Sequence, residues 1–193
     1  MDDDPLWRRI RLPLFALIAI ASLLWAFKPE PIRNLRLVSV VSVPPRQIPD
    51  KYGLDDIVHT STAAYRLRLQ GSAQWIRRII ARELNVYMIA RLCNQRKIEV
   101  PVLGPFIGQT PVEPHDPSGA LSRLDNNGDT LYDAYIGVSG RFIGENDVNA
   151  DIGGYDLHKS GLTLCVQIAG GSMYGAYAAS NVVRIVLPPP PHP

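Results

Sequence analysis

The chain has 193 residues, 46% of them apolar and 20% charged, which suits one folded domain of about 150 residues behind a short leader and excludes global disorder. A formal net charge of +2 supplies no single-signed field of the kind a nucleic-acid binder carries. The charge is nevertheless divided: from Arg66 to Lys97 there are eight Lys or Arg against one acid, and from Glu113 to Asp156 nine acids against two Arg. The simplest reading is two oppositely charged faces that attract one another within one domain.

The first element in the chain is an uncharged run from Leu12 to Phe27. As a helix it reaches roughly 24 Å, short of the ~30 Å hydrocarbon core, and Ile10, Arg11, Trp7 and Trp25 extend its effective span. A cleavable signal peptide is the rival reading, with Arg8, Arg9 and Arg11 as its positive region and Ala19-Ile20-Ala21 as its cleavage pattern. Cleavage there would leave the apolar stub Ser22 to Phe27, so an uncleaved transmembrane signal-anchor is expected. Three basic residues stand on each side, but Arg8, Arg9 and Arg11 as a group lie closer to the run than Lys28, Arg33 and Arg36, and the segment after it is long, which places residues 1–11 in the cytoplasm and the body outside.

Residues 28–49 are broken by five prolines and read as a stalk, within which Leu35 to Val43 is β-branched enough to form an edge-like first strand. In the body, residues 50–187, Tyr65 to Leu69 alternates apolar and charged side chains with period two. From Ser72 to Leu84, Trp75, Ile76, Ile79, Ile80 and Leu84 keep helical spacing. Asn85 to Cys93 and Lys97 to Leu103 read as two strands joined by Asn94 to Arg96, and Tyr132 to Val138, Leu162 to Ile168 and Val182 to Leu187 as three more. Residues 188–193 form a polyproline tail. This pattern predicts a mainly β protein, an antiparallel β-sandwich of the Ig-like or jelly-roll-like kind with one short helix, preceded by the transmembrane helix.

Cys93 and Cys165 both fall in expected strands, and outside the cytoplasm they should form a disulfide between two sheets. The closed loop is long, so the bond contributes roughly 4 kcal/mol in the chain-entropy account. The densest oxygen pattern is Asp125, Asn127, Asp129 and Asp133, at positions 1, 3, 5 and 9 of a calcium loop, with a second set at Asp147, Asn149 and Asp151. Thr130 stands where such a loop needs Gly and Ile136 where it needs a bidentate Glu, so ordinary turn chemistry competes with calcium. No complete nucleophile, zinc or phosphate-loop motif is present: Gly170 to Gly175 has Tyr174 where the nucleophile elbow requires Gly.

The basic cluster containing Arg77, Arg78 and Arg82 suits anionic headgroups or an acidic protein better than nucleic acid, given an exported body. Tyr174 and Tyr177, in a glycine-rich loop, offer amphipathic contact surface. These features point to a membrane-anchored, non-enzymatic binding module of the cell envelope, periplasmic or extracellular, whose partner is another envelope protein or a glycan. The alternative is a metal-assisted hydrolase of envelope polymers that uses the Asp125 to Asp156 carboxylates with His115 or His158.

Overall fold

The computed structural model describes residues 13, 15–20, 34–49, 63–81, 84–113, 128–141, 143–144, 154–157, 162–171 and 177–188. The chain divides into two units, Met1–Glu30 and Pro31–Pro193. In the first, residues 15–20 are helical and expose Phe15, Leu17, Ile18 and Ile20 by 53% to 68%. Among the described residues no helix is long and apolar enough to cross a membrane. The rest of the expected Leu12 to Phe27 span lies outside them.

The second unit is mainly β. In chain order its strands are β1 (Arg36–Val43), β2 (Ala64–Ser72), β3 (Asn85–Leu92), β4 (Gln95–Val100), β5 (Leu103–Ile107), β6 (Thr110–Pro111), β7 (Asp129–Gly137), β8 (Ser139–Arg141), β9 (Ile143–Gly144), β10 (Gly154–Asp156), β11 (Thr163–Gly171), β12 (Tyr177–Ala179) and β13 (Val183–Val186). Helix α1 (Ala73–Ala81) joins β2 to β3. One sheet runs β1-β2-β7-β5-β6 and a second runs β12-β11-β3-β4-β9, with β13 also on β11; β10 and β8 form a small ribbon. Every pairing is antiparallel.

Two-residue alternation explains the sandwich. Tyr65, Leu67 and Leu69 of β2, Tyr132, Ala134 and Ile136 of β7, and Leu164, Val166 and Ile168 of β11 are wholly buried and belong to one cluster. The outward positions between them carry Arg66, Arg68, Asp133, Cys165 and Gln167. On α1 the helical period turns Trp75, Ile76, Ile79 and Ile80 into the same core. The helix lies close because β11 has Gly170 there: a Cβ at that position would stand 2.9 Å from Ile79 Cγ2.

Strand β11 pairs with β3 from Leu164 to Gly171 and shares its other edge between β12 and β13. At the break, buried Ser180 substitutes a side chain for the missing ladder bond. Its N–H donates to Ile168 O at 2.8 Å, and its Oγ accepts from Ile168 N–H at 3.0 Å. The next residue ties the two sheets: Asn181 Oδ1 accepts from Leu35 N–H at 2.9 Å, while Asn181 Nδ2 donates to Leu35 O at 2.8 Å. Further along the same edge, Tyr65 O–H donates to Pro188 O at 2.9 Å. Three long-range bonds thus tie Leu35 and Tyr65 to the segment from Asn181 to Pro188.

The strands expected near 65–69, 85–93, 132–138, 162–168 and 182–187 are present, as is the helix. Lys97 to Leu103 is not one strand: β4 ends at Val100 and β5 begins at Leu103, with Pro101 between them. The disulfide expected between Cys93 and Cys165 is formed, with Cα atoms 5.0 Å apart. It joins neighbouring strands of one sheet rather than two sheets, because β3 and β11 are direct partners and Leu92 lies opposite Leu164.

Candidate binding groove

The outer face of the first sheet is where polar side chains converge. Strands β2 and β7 pair so that Arg68 stands opposite Asp133 and Arg66 opposite Tyr135. Arg68 donates through Nε to Asp133 Oδ1 at 2.8 Å and through Nη2 to Asp133 Oδ2 at 2.9 Å, the two-pronged geometry that a planar guanidinium offers a carboxylate. The Asp133 side chain is 6% exposed and that of Arg68 34%. The bond to Asp133 pushes the Arg68 guanidinium pKa above its usual value, against the opposing effect of burial.

Two local structures wall this face. After β1, Pro44 is extended and Pro45 opens a 3-10 turn over Pro45–Gln47, closed by Ile48 N–H donating to Pro45 O at 2.9 Å. Part of the expected stalk therefore packs on the sheet. Ile48 is buried in a small cluster with Val43, Ala64, Leu103, Phe106 and Tyr135. Within it the Phe106 and Tyr135 rings meet edge to face at 5.7 Å. Opposite stands the β5–β6 hairpin, whose turn holds Gly108 at φ 66°. Strand β5 reaches this place through an irregularity between Leu103 and Phe106, which lie opposite Tyr135 and Asp133. Gly104 makes it possible, with φ 133° and room for no Cβ, since one would come within 3.0 Å of Asp133 O.

Between these walls lies a groove of about 520 Å³. Arg66, Arg68, Asp133 and Tyr135 line its floor; Arg46, Gln47, Ile48 and Pro49 form one wall and Gly108 and Gln109 the other. A hollow of about 380 Å³ continues from it past Arg68 and Asp133 to Asp129, Thr130 and Leu131. Among the described residues, three guanidinium groups thus face one carboxylate in the main groove. Tyr135 is 3% exposed; burial and the nearby Asp133 charge raise its phenol pKa, and Arg66 and Arg68 oppose that rise. Arg66 lies directly across the ladder from Tyr135, close enough for its charge to act on this phenol. The described lining contains no serine, cysteine or histidine, and both oxygens of Asp133 are taken by Arg68.

Of the residues singled out from sequence, Asp133 is in the groove, paired to Arg68. Asp129 is exposed at the end of the adjoining hollow, where it accepts from Gln70 Nε2 at 3.3 Å and Asn34 Nδ2 at 3.4 Å. Arg77 and Arg78 are on α1, away from the groove lining. Arg82, Asp125, Asn127, Asp147, Asn149, Asp151 and Tyr174 lie outside the described residues, as do His115, His158 and the side chain of Tyr177. Among the described residues no group of three His, Cys, Asp or Glu could hold a metal ion.

Sequence reasoning missed Arg46, Arg66, Arg68, Gln109 and Tyr135 as a set. Its one usable signal was the outward placement of Arg66 and Arg68 within an alternating strand; their partners lie about 65 residues away, in a register that alternation alone does not define. In comparisons with known proteins, no family model, no curated protein and no solved structure matches this chain.

Proposed function

We propose that the chain is a non-enzymatic binding module of the cell envelope, held at a membrane by its N-terminal apolar segment with the sandwich outside the cytoplasm. The observation that carries the binding reading is the groove on the outer face of the first sheet, concave, polar-floored and walled by two turns, with a volume in the range of small-ligand sites. The Cys93–Cys165 bond supports the compartment, since such bonds persist where the surroundings are oxidising. The exposed apolar side chains of residues 15–20 support the anchor, because lipid is the solvent they prefer. The partner classes are a glycan or another envelope protein. A photo-crosslinking residue placed at Gln109, on the groove rim, should give one discrete adduct in living cells. The same residue at Gln74, exposed on α1, should give none. Equal diffuse labelling from both positions, or none from Gln109, refutes the groove as the binding site.

A further inference from the structure

We infer that the groove takes an oxyanion, a carboxylate or phosphate group on a small polar molecule such as an acidic sugar, and that Arg66 and Arg46 are the residues that hold it. This rests on the groove being the binding site. Its own support is the imbalance of partners among the three arginines.

Arg68 is paired with Asp133 through two hydrogen bonds, so the pair adds rigidity and little net charge. Neither Arg46 nor Arg66 meets a carboxylate among the described residues. Across the ladder Arg66 instead faces Tyr135, whose ring packs edge to face on Phe106, and the Arg66 Nε is buried without an acceptor. Such a guanidinium is oriented before any ligand arrives. A cation held in place without a counter-charge, at the bottom of a concave polar surface, is how proteins select an anion.

Arg46 sits on the opposite side, on an exposed turn, and is free to close over a bound group. The buried Asp133 carboxylate repels a second anion on its side and so directs the charge of the ligand toward Arg66. Gln47 and Gln109 on the two walls provide amide donors and acceptors for hydroxyl groups. A volume near 520 Å³ leaves room for a sugar-sized body around the anion.

The test is calorimetric titration of the full chain in detergent micelles with inorganic phosphate, glucuronate and glucose at low and high salt. Phosphate, glucuronate or both should bind, more weakly as salt rises. Arg66→Gln should weaken that binding by about tenfold or more, the loss expected for a charge-assisted hydrogen bond. Arg46→Gln should weaken it less, and Arg184→Gln, exposed on β13, should not change it. Arg66→Lys keeps the charge and serves if the glutamine variant does not fold: it should retain part of the affinity and most of the salt dependence. Binding of phosphate alone or glucuronate alone names the source of the oxyanion. Glucose binding as tightly as glucuronate, unaffected by Arg66→Gln, overturns the oxyanion assignment and leaves the groove a binding site. No binding by any probe overturns the assignment too, and the Gln109 crosslink then decides the groove separately.

Discussion

The two sheets each carry an arginine directly opposite a carboxylate on the neighbouring antiparallel strand, Arg68 with Asp133 in the first and Arg91 with Glu99 in the second. The pairs are alike in chemistry and differ in place. Asp133 keeps 6% of its side chain exposed beneath two turns, whereas Glu99 and Arg91 each keep 30%. Arg91 and Glu99 lie eight residues apart and their strands are joined by a turn, while Arg68 and Asp133 lie 65 residues apart and join the basic half of the sequence to the acidic half. An outward-facing ion pair comes to line a concavity when neighbouring turns take water away from it, as the Pro45–Gln47 turn and the β5–β6 hairpin do for Asp133. The Arg91–Glu99 pair, without such a cover, stays part-exposed on the strand surface.

The largest expected effect concerns the second sheet as a frame. Reducing the Cys93–Cys165 bond should lower unfolding free energy by about 4 kcal/mol, read from urea denaturation with and without reductant. Asp133→Ala should cost about 3 kcal/mol, at the low end for breaking a buried pair because Arg68 retains contact with water. Gly170→Ala should cost about 1–2 kcal/mol, because the new methyl group must displace Ile79 and with it α1.

Alkali should distinguish the sheets without any substitution. Tyr65, Tyr132 and Tyr135, all in the first sheet, have phenols raised by burial above the unfolded value of 10.0. Above about pH 10 the unfolded chain therefore loses these protons first, so stability is complete below that pH and falls as pH rises beyond it. Melting temperatures measured from pH 8 to 12 should show this fall, and Tyr132→Phe should make it shallower. The smallest effect closes the comparison: Glu99→Ala should cost under about 1 kcal/mol, so a loss matching that of Asp133→Ala would show that burial does not separate the two pairs.

Much of the fold was legible in the sequence because its signals are local. Period two in Tyr65 to Leu69 and period 3.6 in Trp75 to Ile80 each follow from which side chains leave water, and both elements form where expected. The site was much less legible. Its floor depends on the β2–β7 register, its walls on where a proline turn and a bulged hairpin come to rest, and neither is a property of neighbouring residues. Cys93 and Cys165 illustrate the same boundary: their residue type and their strands announced a bond, but whether it would cross the sandwich depended on which strands become neighbours. Ser180 and Asn181 gave no sign at all, since a single serine and asparagine look like turn residues until the break between β12 and β13 gives each a backbone to complete.

The Cys93–Cys165 bond is formed, and the proposed envelope role requires that it form outside the cytoplasm. Labelling of Cys93 and Cys165 in intact cells with a membrane-impermeant maleimide tests it most directly. No labelling before external reductant, and labelling of both cysteines after it, is the predicted result. Thiols that only a permeant maleimide reaches, and that react without reductant, would contradict it.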